Sequence, residues 1–369
     1  MAKSSSYYLG SLDGLRLVSF LVIFLHHQPG TASIKIFAER GWASVDLFFV
    51  ISAFLLFRLL EAENDKDGQI NVRNFYIRRV LRIYPLLMVY YSAVFIIGIG
   101  FSDFMAWLRF AATLASVDNI AVWWLNYNFS VPAVGHLWTL SFEVQIYLLL
   151  PVAFWAWRKW GTRRFLWGLL VIEMVAFAAR YWAVGSGVEY PSIYVHPYLR
   201  PESILLGLAL AVVKPTWKPS WSVLAAIGAS IAFVAMPSTN QSFIYFPIAV
   251  MVVALVDAGL WFRPLRALLS LRPCRYLGTI SYGLYVFHIA AIYGTVRVLG
   301  LPVLAGVSNG PMITATSLGL TIAAAAVSYR YLERPFLQLK RRFTSIDGRA
   351  SGSPEGAPDA RSADASRGS

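Results

Sequence analysis

Long apolar runs alternate with short polar segments along almost the whole chain. A run of about 20 apolar residues can cross a bilayer as an α-helix, and shorter runs are tolerated where the backbone is buried in protein. The pattern predicts an all-α fold: a polytopic membrane helical bundle with about ten transmembrane helices, and one amphipathic segment near 103–117 at the interface. The predicted spans are 10–29, 43–60, 83–101, 137–157, 163–183, 198–213, 221–237, 243–262, 279–299 and 311–332.

The composition agrees with a membrane protein, since 57% of the 369 residues are hydrophobic and 14% are charged. The net charge of +13 does not indicate a nucleic-acid partner, because the basic residues form short clusters between apolar runs. Loops that stay in the cytoplasm carry an excess of Lys and Arg. Every second loop holds such a cluster, at 66–82, 158–164, 214–218 and 263–275. We therefore expect multi-pass insertion in the inner (plasma) membrane, with both termini cytoplasmic.

The end of the chain has a different composition from the rest. Residues 344–369 are rich in Ser, Gly, Ala, Asp and Arg, and are expected to form a disordered cytoplasmic tail. Residues 1–343 then form one transmembrane domain. The single cysteine, Cys274, excludes an intramolecular disulfide and a cysteine-based metal site, and we expect no metal cofactor.

The first predicted span contains charged and titratable residues that a lipid-facing helix rarely tolerates. Arg16 and His27 are eleven positions apart. This is about three helical turns, so both are expected on one face, roughly 16 Å apart along the axis, while His26 points about 100° away. The same pattern fits an arginine anchored at the inner interface and a hydrated histidine at the outer one. The functional alternative is a pair of groups that act along one shared face.

A second basic group opens the third span, where Arg78, Arg79, Arg82 and Tyr84 follow one another closely. Arg79 and Arg82 are three residues apart and share a helical face. Guanidinium groups pair well with phosphate oxygens. The group is therefore either an ordinary cytoplasmic anchor or a phosphate-binding site.

Two carboxylates, Asp46 and Glu143, lie in otherwise apolar segments and are candidates to orient a histidine or stabilise its charge. Asp46 equally fits a first-turn residue that the helix dipole favours. Glu143 equally fits a buried partner of an arginine such as Arg200. Glu173 and Arg180, two turns apart, are predicted to form an ion pair within the membrane.

Aromatic and polar residues on or near the predicted outer side are candidates for binding a sugar by stacking and hydrogen bonding. The interfacial aromatic belt of a membrane protein explains the same aromatic residues. A histidine on an apolar face, such as His288, more often has a packing role. The candidate substrate-binding residues are His136, Trp138, Arg200, His288 and Trp124.

Taken together and in this order, these motifs resemble the membrane-bound acyltransferase-3 family of bacterial O-acyltransferases, which modify surface glycans and some secondary metabolites. The resemblance implies that Arg16 and His27 form the family's Arg–ten residues–His pair. It also implies that Arg79 and Arg82 form its Arg-x-x-Arg motif. The matching motifs are LDGLR…H (12–27), SVDLFFVISAFLL (44–56), RRVLRIYPL (78–86), HLWTLSFEVQIYLLLP (136–151), RPESILLG (200–207), LGTISYGLYVFHI (277–289) and YLERPF (331–336).

Two positions depart from the family pattern. Val144 stands where many members have a second Glu, which leaves Glu143 as the only carboxylate of that motif. Ala53 stands where Gly is usual. Some members also append a hydrolase-like domain, which is not evident here. We therefore expect acceptor transfer to depend on the membrane domain or on a separate partner.

We predict an integral-membrane O-acyltransferase, with an acetyl group moving from cytoplasmic acetyl-coenzyme A (acetyl-CoA) to a hydroxyl of an extracytoplasmic polysaccharide or lipid-linked glycan. The arginine group would bind the donor's phosphates. His27 would act as a general base or a transient acyl carrier, beside Arg16, with Asp46 or Glu143 orienting it. The alternative within this class is a macrolide or other secondary metabolite as acceptor. The alternative from another class is a glycan or lipid transporter, for which the inverted repeat typical of many transporters is not evident.

Overall fold

The computed structural model describes residues 9–28, 35–98, 104–121, 133–188, 190–213, 217–298 and 310–345. Within these ranges the chain is helical and contains no β-strand, which confirms the all-α class. The predicted tail from residue 346 onwards and Trp124 lie outside the described residues. The helices are α1 (Gly10–His26), α2 (Lys35–Arg40), α3 (Val45–Asp67), α4 (Val72–Gly98), α5 (Phe104–Leu114), α6 (Asp118–Ala121), α7 (Trp138–Gly185), α8 (Ser192–Val195), α9 (Glu202–Val213), α10 (Pro219–Ala235), α11 (Tyr245–Trp261), α12 (Arg263–Leu269), α13 (Arg272–Thr279), α14 (Ser281–Val298), α15 (Gly310–Ser328) and α16 (Arg334–Arg341).

The prediction of about ten helices that cross a membrane is not confirmed by the described residues. By length and composition the described residues hold four such segments, or six if each of two bent pairs counts as one span. The bent pairs are α11 with α12, at 90°, and α13 with α14, at 72°. Other predicted spans correspond to shorter helices, such as α9 with 12 residues and α10 with 17. The segments long enough are Lys35–Asp67, Val72–Ile97, Gly135–Gly185 and Gly310–Arg341.

Helix α7 consists of two helical halves that meet at a sharp kink at Gly161. The backbone there has φ 74° and ψ 166°, a conformation that glycine adopts without steric cost. Each half retains about the 20 residues that a membrane span needs. The kink lies between the predicted spans 137–157 and 163–183, within the basic cluster at 158–164.

The first half of α1 packs directly against the backbone of α12 and α13. A Cβ on Gly278 would lie 2.0 Å from the carbonyl oxygen of Asp13, and one on Gly14 would lie 2.3 Å from that of Leu269. No side chain can be accommodated at such distances, so only glycine permits this packing. The segment that contains Arg16 is therefore held between the two short helices.

Buried ion pairs join the helices at the centre of the bundle. Arg200, which precedes α9, binds Asp46 of α3 at 2.9 Å. Arg180 of α7 binds Glu202 of α9 at 2.5 Å. The sequence predicted Glu173 as the partner of Arg180, and this is corrected: in the described part of the chain the two oxygens of Glu173 have no hydrogen-bond partner. The tertiary fold brings Glu202 closer than the residue two turns away.

Candidate functional site

A cavity of about 1050 Å³ lies between the N-terminal part of α1 and helices α3, α4, α7, α13, α14 and α16. Ten of its lining residues are basic and three are acidic. A cleft lined by charges of one sign concentrates the field and attracts ions of opposite charge. The cavity is therefore suited to a ligand with several negative charges. Its basic residues are Arg16, Arg78, Arg79, Arg82, Arg272, Arg275, Arg330, Arg334, Lys340 and Arg341.

The three arginines at the start of α4 all line the cavity, but their contacts differ. Arg78 donates to Glu63 at 2.8 Å, and Arg82 to Glu333 at 3.4 Å. Arg79 has no carboxylate within salt-bridge distance among the described residues, and its buried Nε has no hydrogen-bond partner there. Arg79 is therefore the arginine of this group whose charge is best placed to meet an anion in the cavity.

Tyr84 does not join the arginines. Its hydroxyl donates to the carbonyl oxygen of Leu114 at 3.1 Å and is hydrogen-bonded to the Ser116 hydroxyl at 2.8 Å. These contacts attach α4 to the end of α5, outside the described lining of the cavity. The side chain thus has a structural position, and its place in a donor site stays a prediction.

Arg16 and Glu143 both line the cavity. Arg16 donates to Asp13 at 2.8 Å, one turn earlier on α1. Glu143 accepts hydrogen bonds from Ser52 at 2.7 Å and from the hydroxyl of Tyr147. The carboxylate is therefore held by two hydroxyl groups, and the described contacts do not link it to a histidine.

Three histidines meet at the end of α1. His27 Nδ1 lies 3.2 Å from His288 Nε2, and the rings of His288 and His136 are 4.9 Å apart. His288 and His136 are buried, whereas His27 is partly exposed. The histidine predicted to share a face with Arg16 is thus the one that meets the histidines of other helices.

His26 faces a different part of the molecule. Its Nδ1 lies 3.2 Å from the carbonyl oxygen of Phe37 on α2. A Cβ added to Gly41 would lie 2.8 Å from the Cβ of His26, so the two residues are closely packed. The two adjacent histidines therefore have distinct surroundings, as their angular separation on the helix requires.

Tyr285 connects the histidines to the basic cavity. Its side chain lines the cavity, and its ring lies 5.4 Å from that of His288 and 5.3 Å from that of His136. The Tyr285 hydroxyl donates to the carbonyl oxygen of His136 at 3.0 Å and accepts from Thr139 at 2.9 Å. One layer of side chains therefore separates the basic cavity from the histidines.

Asp46, Arg200 and Trp138 form a separate, fully buried group. Asp46 accepts from Arg200 and also from Ser203 at 2.6 Å. The guanidinium carbon of Arg200 lies 4.3 Å from the ring centre of Tyr194 and 5.9 Å from that of Trp138. Arg200 and Trp138 are each only 2% exposed. In this structure these two residues have packing contacts, so the role in sugar binding stays a prediction, and Asp46 is bonded to an arginine.

Sequence reasoning missed more than half of the cavity's basic residues. Arg272 and Arg275 were interpreted only as cytoplasmic anchors, and the C-terminal basic residues were not considered. The YLERPF motif was the available indication, since Arg334 follows a π-helical turn at Tyr329–Glu333 that directs α16 to the cavity. Among the described residues, no group of three His, Cys, Asp or Glu side chains is arranged to hold a metal ion.

An apolar helical bundle that places buried histidines beside a strongly basic cavity fits the class of membrane enzymes that use an anionic donor. The sequence model of the acyltransferase-3 family, described as an acyltransferase domain, matches residues 9–330, and the chain belongs to this family. The resemblance inferred from the motifs is thereby confirmed.

Several curated relatives are O-acetyltransferases by name. Peptidoglycan O-acetyltransferase OatA of Listeria monocytogenes is 27% identical over 361 residues, covering 90% of this chain and 56% of the relative. A putative O-acetyltransferase of Staphylococcus aureus strain COL is 28% identical over 369 residues, covering 89% and 57%. The O-acetyltransferase OatA of Staphylococcus aureus is 23% identical over 363 residues, covering 90% and 57%. The chain spans little more than half the length of these relatives. No solved structure matches the chain.

Proposed function

We propose that this chain transfers an acetyl group from acetyl-CoA, bound from the cytoplasm, to a hydroxyl of a glycan on the other side of the membrane. The observation that supports this most is the basic cavity, whose inner end reaches the histidine cluster through Tyr285. An anionic carrier with a reactive thioester at the end of a flexible arm suits such a space.

The charge of the cavity supports coenzyme A as the carrier. The molecule has a diphosphate and a separate phosphate, and guanidinium groups bind such oxygens through paired hydrogen bonds. Arg79, with no carboxylate partner in the described structure, is the proposed principal contact. Arg82 and the basic residues of α16 surround the same space.

The positions of the lining residues support access from the cytoplasm. Arg78 to Arg82 and the pair Arg272 and Arg275 come from two basic clusters that the positive-inside rule assigns to the same side. Both clusters contribute to one cavity. The donor would therefore enter on the side where both termini are expected.

His27 is the proposed general base. Its ring would take the proton of the acceptor hydroxyl while the oxygen attacks the thioester carbonyl. The new C–O bond forms as the C–S bond breaks, and the histidine then returns the proton to the departing thiolate. Arg16, lower on α1 and in the cavity, would bind the donor arm.

The acceptor is proposed to be a cell-wall or surface polysaccharide. The relative named peptidoglycan O-acetyltransferase supports a glycan over a macrolide, and the other relatives are O-acetyltransferases by name. The described residues do not include the aromatic loop that contains Trp124, so the acceptor side of the proposal depends on these relatives.

The proposal is tested with the full chain in proteoliposomes, with radiolabelled acetyl-CoA outside and a glycan fragment confined inside. We expect label to appear in ester linkage on the enclosed glycan. Arg79→Ala should raise the donor KM about tenfold or more, the loss expected for a charge-assisted hydrogen bond. Arg163→Ala is the matched control, because Arg163 is an exposed arginine of α7 that does not line the cavity.

Two results would contradict the proposal. Labelled acetyl-CoA that enters the vesicles intact, with no ester formed, would indicate transport. An equal effect of Arg79→Ala and Arg163→Ala on the donor KM would remove the cavity from donor binding and leave α4 as an anchor.

A further inference from the structure

The hydrogen bonds of His288 determine which of its nitrogens has the proton. His288 Nδ1 lies 2.5 Å from the carbonyl oxygen of Tyr285, which can only accept a hydrogen bond. Nδ1 must therefore have the hydrogen. The ring is fully buried and its edge contacts Phe20, so a second proton would place an uncompensated charge in apolar surroundings. His288 is thus neutral, and its Nε2 has a free lone pair.

The neighbours of His27 Nδ1 then determine the proton position on His27. This nitrogen lies 3.2 Å from the His288 Nε2 lone pair and 3.0 Å from the carbonyl oxygen of Ile23. Both neighbours are acceptors, so His27 Nδ1 must be the donor. A neutral imidazole has one N–H, and therefore Nε2 of His27 is left without a proton.

We infer that His288 is a positioning residue that holds His27 in the Nδ1–H tautomer, so that His27 Nε2 is the atom that accepts the proton of the acceptor hydroxyl. The inference rests on the proposed role of His27 as the base. It assigns to a histidine the position that a carboxylate occupies in many such pairs. After Nε2 takes the proton, the His27 Nδ1–H still points at two acceptors, which stabilise the imidazolium.

The other candidates for this position are already bonded elsewhere. Asp46 accepts from Arg200 and Ser203, and Glu143 accepts from two hydroxyls. The third histidine does not compete either. His136 Nε2 donates to the carbonyl oxygen of Val286 at 3.2 Å, and its ring packs on that of His288 at 4.9 Å. Helix α14 thus fixes both buried rings through neighbouring carbonyls. Among the described contacts, His288 is the side chain from another helix that offers His27 Nδ1 an acceptor, beside the Ile23 carbonyl of α1 itself.

The tautomer can be measured directly. The chain has five histidines, so the protein can be labelled with 15N in its imidazole rings and examined by solid-state NMR in lipid bilayers. The His27 signals are assigned by their loss in His27→Ala. We expect a protonated Nδ1 and an unprotonated Nε2 for His27 in the unmodified chain. A protonated Nε2 would overturn the inference even if the enzyme were fully active.

Two variants of His288 test the consequence for the reaction. His288→Met keeps the volume but removes one of the two acceptors of His27 Nδ1 and leaves only the Ile23 carbonyl. We therefore expect Nε2–H to appear on a fraction of His27, the imidazolium to lose one of its two acceptors, and kcat to fall about 10²-fold, at the lower end of what general base catalysis contributes. His288→Gln supplies an amide oxygen as acceptor, and should recover at least tenfold of that loss together with the Nδ1–H signal. The donor KM should stay unchanged in both variants, because His288 does not line the basic cavity.

A merely structural role of His288 would give a different result. His288→Met would then lower thermal stability while kcat per folded molecule and the His27 signals stayed the same, and the inference would be overturned. If His288→Met does not fold, the spectrum of the unmodified chain and the activity of His288→Gln still decide. Failure of the proposed function would show separately, as an unmodified chain with the expected tautomer and no acetyl transfer.

Discussion

Leucine in place of Asp46 removes one half of an ion pair that is almost completely excluded from solvent. The side chains of Arg200 and Asp46 are 1% and 4% exposed. Arg200 would be left among aromatic rings, including Phe142 at 5.6 Å and Tyr194 at 4.3 Å. Breaking a buried pair from one side costs about 3–5 kcal/mol because the remaining charge has no partner. Loss of the Ser203 hydrogen bond to the carboxylate adds about 1.5 kcal/mol or more.

Asp46→Leu should therefore lower the free energy of unfolding by about 4.5–6.5 kcal/mol. Replacing both residues, as Asp46→Leu with Arg200→Met, should recover most of this loss, because a well-packed apolar pair is often as stable as a buried ion pair. The assay is unfolding of the purified variants in detergent, followed by tryptophan fluorescence. The double-mutant cycle gives the coupling between the two residues directly.

The same variants also test whether Asp46 contributes to catalysis. If Asp46 is only structural, kcat per folded molecule of the double variant should stay within about tenfold of the unmodified chain. A stable Asp46→Leu protein that has lost its activity by 10²-fold or more would refute the assignment, since that is the loss expected for a group that supports general base catalysis. A coupling energy near zero would refute the magnitude derived from burial.

Three other predictions follow from separate contacts. Gly278→Ala should destabilise the protein by about 1–3 kcal/mol through overpacking, whereas Gly168→Ala, where the new Cβ meets open space, should not destabilise it in the same unfolding assay. Glu143→Gln should change kcat less than tenfold, since two hydroxyls hold this carboxylate; a loss of about 10²-fold would reinstate it as a partner of the base. In a background without the native cysteine, Ser238→Cys should react with an impermeant maleimide added to intact cells and Asp65→Cys should not, and the reverse pattern would invert the proposed topology.

Hydrophobic periodicity was sufficient for the fold class and for several boundaries. It identified α3, α4 and the two halves of α7, because long apolar runs and basic clusters are local features of the sequence. It did not predict the short helices α12 and α13, because the charge pattern assigned these residues to a loop. Each of the two helices has a proline in its first turn, Pro264 in α12 and Pro273 in α13. These helices bend away from their neighbours, and apolar length alone does not predict such bends.

The candidate site was predictable where its chemistry lies on one helix. The separation of Arg16 and His27, and the choice of His27 over His26, follow from helix geometry alone. The pairing of Asp46 with Arg200 spans 154 positions, and that of His27 with His288 spans 261. No periodicity encodes such contacts, because they arise only when helices pack. The cavity was missed in part for the same reason, since charges in separate loops meet only in the folded chain.

The glycine contacts beneath α1 limit how this protein can move. A helix whose first turns rest on the backbone of two others acts as a fixed strut, with no room to slide or roll. The levels of Arg16 and His27 are then a constant distance apart, roughly 16 Å from the rise of the helix. Any motion that brings a donor and an acceptor together must then occur in the other elements that line the cavity, such as α16, which follows a π-helical turn. A longer acyl chain would not fit within this fixed distance. The rigidity of α1 would therefore limit the length of the acyl chain that the protein accepts.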